Sequence, residues 1–230
     1  MTGNVLVLED KERTRGSRAG GRTSAFTRNL VPGNRVYGED LLRMHGAEYR
    51  SWDPYRSKLA GAILKGEIPP DVIREGDKVL YLGASTGTTV SHVSDIVGAG
   101  GLVVGVELSA RVGREFLEKV AKARHNVVPY ISDAREVERF GEFGAVDVVY
   151  CDIAQRDQTE IAISNAKRHL RLGGRLLLIV KARSIDQLKE PSVVFREEAQ
   201  KLRDAGFRVE SVVDLRPYDK DHALISATMG

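Results

Sequence analysis

Cysteine is nearly missing: Cys151 is the one thiol in 230 residues. A single thiol excludes a disulfide framework and a cysteine-based zinc site, and its apolar neighbours read as buried filler. The five histidines are scattered without metal-ligand spacing, so no metal site is expected. No apolar run approaches membrane-spanning length, and the N-terminus lacks the apolar core of a signal peptide. The expectation is a soluble protein without a membrane partner. Repeats and long low-complexity tracts are also lacking. Few Asn and Gln beside many Arg and Glu fit a thermophilic source. A large charge excess is missing as well. The net charge is +3 and the pI about 9.0, too mild to establish nucleic-acid binding. The bases that exist are concentrated: Lys11 to Arg35 holds seven of them and one acid, Glu12. Such a run suits either a phosphate backbone or a solvated, flexible segment.

What is present is a hydrophobic content of 42%, enough for one α/β domain with a modest N-terminal extension. The chain is organised around Lys78 to Val90. Val79–Leu82 is a short apolar run, as in a strand buried on both faces. Gly83-Ala84-Ser85-Thr86-Gly87 follows as a turn of small residues. Val90, Val93, Ile96 and Val97 then recur at helical spacing. Strand, small-residue turn and helix open a nucleotide-binding unit, in which glycines admit a ligand to the backbone and the helix start offers free N–H groups. Leu102–Val106 reads as the next strand. Glu107 lies at its end, placed to accept both hydroxyls of a ribose.

The remaining pattern alternates. Asn4–Leu8 suits a short strand, Arg13–Gly21 a turn or loop, Asn34–Tyr49 small antiparallel strands, and Ser57–Leu64 a helix. The stretch Tyr49 to Lys58 is dense in aromatics and bases. These features predict an N-terminal β-rich extension over residues 1–55 and a main domain over 56–230. Beyond strand two come a helix over Ala110–Ala123, strands Val127–Ile131 and Val146–Cys151, and a helix over Gln158–Leu170. A turn at Gly173-Gly174 leads to a strand over Arg175–Lys181 and a helix over Val193–Ala205. Val209–Leu215 and Ala223–Met229 are joined by a short link and pair antiparallel. The fold class is α/β: a doubly wound sheet closed by an antiparallel hairpin. It resembles the seven-stranded, Rossmann-like plan of class I S-adenosylmethionine-dependent methyltransferases.

Ligands of such sheets bind at the carboxyl ends of the strands. Those ends are Gly83 to Gly87, Glu107, Asp133, Asp152 and Lys181. The helix before strand one runs from top to bottom, so Lys58 in its first turn joins them, and the hairpin link brings His222. Each residue alone has a plain reading: an exposed lysine, a loop-capping Asp152, a solvated His222, an Asp133 that caps a helix or accepts an adenine amino group. Lys181, after the apolar run Leu176–Val180, fits a surface lysine poorly. Convergence carries the case.

These segments are similar to fibrillarin, in its archaeal form. The matching stretches are Trp52–Leu59, Tyr81–Asp95, Gly105–Arg111, Ser132–Arg135, Cys151–Gln155, Val180–Asp186 and Tyr218–Ala223. Gly-Thr-Thr-Val-Ser-His-Val-Ser-Asp and Lys-Asp-His are the specific ones. The resemblance implies guide-RNA-directed 2′-O-methylation of ribose in rRNA and tRNA, with S-adenosyl-L-methionine as cofactor. It implies a box C/D ribonucleoprotein: box C/D guide RNA, a Nop-domain scaffold protein and a kink-turn-binding, ribosomal-protein-like subunit, in an archaeal cytoplasm. By position, it implies cofactor contacts at Gly83, Ala84, Gly87, Thr88 and Thr89. Glu107 would hold the ribose, Leu108 would lie against the adenine, Asp133 and Ala134 at its edge, and Asp152, Ile153, Ala154 and Gln155 along the methionine. Lys58, Asp152, Lys181 and His222 would be the catalytic set, similar to the Lys-Asp-Lys-Glu set of heat-shock-type rRNA methyltransferases. Leu108 departs from the aromatic common in the family, and Ser85-Thr86 from the more usual Ala-Ser.

A ribose hydroxyl is a poor nucleophile, so it needs a positioned base or a cation for the forming alkoxide. Lys181 is expected near the hydroxyl, with Asp152 orienting the lysines and His222 positioning a neighbour or a phosphate. Sequence leaves open whether Lys181 or Asp152 takes the proton. A base-modifying methyltransferase would carry an Asn-Pro-Pro-Tyr-like motif where Asp152-Ile-Ala-Gln stands. A non-catalytic particle subunit would not need two lysines at that edge. A nicotinamide dehydrogenase would more often end in further βα units.

Overall fold

The computed structural model describes residues 4–9 and 23–230. Its N-terminal part is an antiparallel sheet of β1 (Val5–Glu9), β2 (Thr23–Arg28), β3 (Leu41–Met44) and β4 (Ala47–Trp52), in the order β1-β2-β4-β3. The main sheet has seven strands: β5 (Lys78–Leu82), β6 (Leu102–Glu107), β7 (Val127–Ile131), β8 (Val146–Cys151), β9 (Leu170–Lys181), β10 (Phe207–Asp214) and β11 (His222–Met229). Their order is β10-β11-β9-β8-β5-β6-β7. β5 to β9 pair in parallel, and β11 runs antiparallel between β9 and β10. The helices are α1 (Lys58–Leu64), α2 (Thr88–Val97), α3 (Ala110–Lys119), α4 (Gln158–His169), α5 (Ala182–Ile185) and α6 (Pro191–Asp204).

Alternation along the strands splits the interior into two layers. Val79 and Tyr81 of β5 join Leu59, Ile63, Val90, Val93 and Phe116, on the side of α1 and α2. Leu80 and Leu82 join Ile161, Ala166, Val194 and Leu202, on the side of α4 and α6. Both faces being covered explains the near-continuous apolar strands. Trp52 and Ala25 of the N-terminal sheet belong to the first layer, so that sheet is an added wall of one core.

The wall is fastened by buried charge. The guanidinium of Arg50, on β4, donates to Glu39 at 2.6 Å, to Asp95 at 2.8 Å and to Ser91 at 2.9 Å. Arg124 donates to the other oxygen of Asp95 at 2.6 Å. The Thr27 hydroxyl donates to Asp95 at 2.8 Å and lies 2.8 Å from Nδ1 of His92, whose Nε2 meets the Tyr37 hydroxyl at 2.7 Å. Trp52 stacks on the His92 ring at 5.1 Å. Ser91, His92 and Asp95 thus clamp α2 to the wall.

Several boundaries differ from the sequence expectation. Gly173-Gly174 does not end an element: β9 runs unbroken from Leu170, and the glycines sit where its register against β8 shifts between Val146 and Val148. Leu170 therefore belongs to β9, and α4 stops at His169. The Ala110 helix ends at Lys119, and Ala121–Ala123 is a separate 3-10 turn. In Asn34–Tyr49, strand begins only at Leu41, because the turn before it is tied to the Glu39 carboxylate by the N–H groups of Val36 and Tyr37. β2 falls in the basic stretch, where no strand was expected. Positions 11–22 of that stretch, and with them Arg13–Gly21, lie outside the described residues.

Candidate active site

The carboxyl ends of β5 and β8, at the point where strand order reverses, open into a cleft of about 260 Å³. Gly83, Ser85, Glu107, Leu108, Asp133, Ala134, Asp152, Ile153, Ala154, Gln155 and Lys181 all line it. Gly83 has φ +86°, and a Cβ there would come within 2.7 Å of the Asp152 carbonyl oxygen. Only glycine lets the β5 turn press so closely on β8. Gly87, φ +90°, ends the turn as the N-cap of α2, and a Cβ would collide with Phe116 and Val120 at 2.6 Å.

Glu107 is held before any ligand arrives. Its carboxylate accepts the N–H groups of Ser85 and Ser109, both at 2.9 Å. Each oxygen keeps lone-pair capacity for a further donor. Leu108 is 59% exposed beside it, an apolar face open to a flat ring. Asp133 accepts the Arg135 N–H at 2.9 Å, and the Arg135 guanidinium continues to Asp157 and Gln155. Arg135 therefore braces the far wall, as Ser85 braces the near one. Arg135 was not singled out from the sequence, where nothing distinguishes it from an ordinary turn residue; Ser85 was read as part of the small-residue turn, without a bracing role.

Four of the expected cofactor residues lie outside the cleft's lining, in the turn and at the helix start that border it. Ala84 and Gly87 are not among the lining residues; the Ala84 carbonyl accepts the Gly87 N–H at 3.0 Å and closes the turn. Thr89 is buried, and its hydroxyl donates to Ser57 at 3.1 Å. Ser57 in turn caps α1, its oxygen accepting from the Ala60 N–H. This chain of hydroxyls fixes the start of α1 against the start of α2. Thr88 stands at the head of α2, half-buried and outside the lining.

Three of the four expected catalytic residues meet at one carboxylate, and the fourth, His222, is linked to them through Asp219. Nζ of Lys181 lies 2.8 Å from Oδ1 of Asp152 and donates to the Asp152 carbonyl at 3.0 Å. Nζ of Lys58 donates to Oδ2 of the same carboxylate at 3.3 Å. The side chains of Lys58, Asp152 and Lys181 are 20%, 15% and 16% exposed, so solvent screens them less than a surface pair. Lys181 lines the cleft, whereas Lys58 and His222 are outside its lining. His222 is opposite Lys181 in the β9–β11 register. It joins the others through Asp219, whose Oδ1 is 2.7 Å from Nδ1 of His222 and whose Oδ2 is 3.8 Å from Lys58. Asp219 escaped the sequence reading because it looks like one more charge in a turn. Its spacing of three residues from His222 is the available signal.

Asp219 is thus a positioning residue for Lys58 and His222. Asp219→Asn removes charge but not shape. It should lower turnover roughly tenfold to a hundredfold, the scale of a misplaced catalytic group, with cofactor affinity unchanged. Steady-state turnover beside direct cofactor titration checks both halves.

Cys151, at the end of β8, is fully buried; burial pushes its thiol up to about 12, so it is inert filler. Among the described residues no group of three His, Cys, Asp or Glu side chains is disposed to hold a metal, and no helix is long and apolar enough to cross a membrane.

The comparisons agree with this geometry. The sequence model of the fibrillarin family matches residues 15–230. The fibrillarin-like rRNA/tRNA 2′-O-methyltransferase of Saccharolobus solfataricus is 52% identical over 200 residues, 86% of this chain and 85% of that one. A crystal structure of Aeropyrum pernix fibrillarin with natively bound S-adenosyl-L-methionine superposes with TM-score 0.84 at 46% identity, covering 98% of this chain and 94% of that one. A fibrillarin/Nop5p complex superposes with TM-score 0.80 at 38% identity, covering 90% and 94%. With the family pattern spanning nearly the whole sequence and the fold shared with its solved members, the chain belongs to the fibrillarin family.

Proposed function

We propose that this chain methylates the ribose 2′-oxygen of rRNA and tRNA nucleotides, using S-adenosyl-L-methionine, as the catalytic subunit of a box C/D ribonucleoprotein. The observation that carries this reading is the clasp of one carboxylate, Asp152, by two lysines at the mouth of the cleft. The activity named for the Saccharolobus relative and the cofactor held by the Aeropyrum protein support it.

The cleft fits that cofactor on its own features. Gly83 clears space at the β5 turn, Glu107 offers a pre-set carboxylate for vicinal hydroxyls, and Leu108 gives an apolar face for a flat base. Asp133 and Ala134 would stand at the base's edge, and Asp152 to Gln155 would border the amino-acid side; all of them line the cleft. When bound, S-adenosyl-L-methionine supplies a methyl group already activated by its sulfonium. The protein's task is then alignment and proton handling. Lys181, the lysine that lines the cleft, receives the 2′-hydroxyl. Asp152 fixes that lysine through both its carboxylate and its carbonyl. The hydroxyl proton passes into the Lys181–Asp152 pair. The Lys58 ammonium, held by Asp152 and Asp219, stabilises the charge growing on the oxygen. His222 completes the acceptor rim beside Lys181.

The fibrillarin/Nop5p complex supports a Nop-domain scaffold as partner. Target choice falls to base pairing with a guide RNA. A kink-turn-binding subunit completes the particle. The test is methyl incorporation by the assembled particle into matched target RNAs. Methylation at one guided nucleotide is expected, with none when that nucleotide is 2′-deoxy, and activity of the isolated chain below about a hundredth of the particle's. Label found on a base, or on the deoxy target, would overturn the reading.

A further inference from the structure

The register of β8 against β9 ends at Cys151 opposite Leu178, while β9 continues to Lys181. On its other side β9 stays paired, with Lys181 opposite His222 of β11. The Lys181 N–H has thus outrun the strand beside it. It donates instead to Oε1 of Gln158, at 3.0 Å. Nε2 of the same side chain donates to the Gln155 carbonyl at 2.8 Å. Gln158 is the first residue of α4 and is fully buried. A side-chain amide carries a donor and an acceptor together, and here burial is matched by bonds at both ends. Asp152 meanwhile holds Nζ of that lysine through its carboxylate and its carbonyl. One short loop therefore grips Lys181 twice: at the ammonium where the loop leaves β8, and at the backbone where it enters α4. Between the two grips lie Ile153, Ala154 and Gln155, which line the cleft.

We infer that Gln158 is a positioning residue for methyl transfer, tying the loop that borders the donor to the backbone of the lysine that receives the acceptor. The inference deepens the ribose-methylating reading above and rests on it. Transfer needs the attacking oxygen in line with the donor's carbon and its leaving sulfur, and a misplacement of about 1 Å costs about a hundredfold. A lysine ammonium sits at the tip of a flexible stem. Asp152 fixes the tip; Gln158 fixes the backbone from which the stem departs. Because the other end of the amide holds Gln155, loop and lysine keep one spacing. Gln158 lies outside the cleft's lining, so it acts through these partners.

The test uses the assembled particle, matched target RNA and single-turnover methylation. Gln158→Met keeps the length of the side chain and removes both bonds. Gln158→Glu keeps an acceptor for the Lys181 N–H and, ionised, removes the donor to Gln155. Each should lower the rate constant roughly tenfold to a hundredfold, while KM for target RNA and affinity for S-adenosyl-L-methionine change by less than about threefold. In a Lys181→Ala background the same substitutions should cost less than about threefold, since the lysine they position is gone. A folding defect in one variant leaves the other to decide. Equal losses in the two backgrounds would overturn the inference. So would rates near wild type, a loss of cofactor affinity as large as the loss in rate, or unfolding of both variants. Label on a base with the coupling intact would sink the ribose reading and keep the assignment. Label on the ribose with additive losses would do the reverse, so the two fail separately.

Discussion

Lys181→Ala should cut methyl transfer by about a thousandfold, within the range of a lost general base and its charge. Affinity for S-adenosyl-L-methionine should change by less than about threefold. The asymmetry follows from position. Lys181 meets the cleft only at the end where Asp152 stands, whereas Glu107, Leu108 and Asp133 hold the opposite end. Removing it leaves Asp152 paired with Lys58, so no buried carboxylate is stranded and the fold survives. Lys181→Arg keeps the positive charge but places a planar fork where a compact ammonium sat, and should stay at least about a hundredfold slower than wild type. Single-turnover methylation beside cofactor titration measures both effects. Activity near wild type in either variant would remove Lys181 from the chemistry.

The second large effect lies away from the cleft. Asp95→Ala should destabilise the protein by about 3–5 kcal/mol, because two fully buried guanidiniums, Arg50 and Arg124, lose the carboxylate between them. For a chain of this size that corresponds to a melting point lower by roughly 6–20 °C. A melting point within about 2 °C of wild type would show that the clamp contributes little. Acid should expose the same cluster. Burial alone would raise the Glu39 carboxyl, but the Val36 and Tyr37 N–H groups and the Arg50 guanidinium outweigh it and hold it below its usual value of 4.5. Its stabilising contribution is complete above 4.5 and is lost as pH falls through the lower folded value. His92 adds a loss that starts earlier. Burial, then the charges of Arg50 and Arg124, keep its ring neutral well below the ordinary 6.5. Below 6.5 the unfolded chain therefore binds a proton that the folded chain refuses, and stability drops. Unfolding curves from pH 7 to pH 4 should show the wild type weakening steadily.

Much of the main domain was legible because its strands and helices follow their own periods. Val79–Leu82 and Leu176–Val180 could be little else than buried strands. The site was legible in outline because the direction of α1 and the hairpin link are forced by the parallel sheet. What could not be read depends on side chains choosing partners across long sequence gaps. The bond from the Thr89 hydroxyl to Ser57 is one such pairing, across 32 positions. Ser91, His92 and Asp95 carried the most specific part of the family pattern and face the N-terminal wall instead of the cleft. β2 was invisible because Thr23–Arg28 has a weak apolar alternation and gains its place only by pairing with β1 and β4. The glycines at 173 and 174 signalled a turn by composition, while the sheet absorbs them as an irregularity of one long strand.

The position of β11 bears on biosynthesis. It is the last strand along the chain, yet it enters the sheet between β9 and β10. A nascent polypeptide that has emerged only as far as Asp214 already owns every residue lining the donor's cleft. It still lacks Tyr218, Asp219 and His222. Until β11 arrives, β10 has no strand to pair with and Ala223, Leu224, Ile225 and Ala227 are missing from the two layers of the core, so the sheet and the rim are completed by the same final segment.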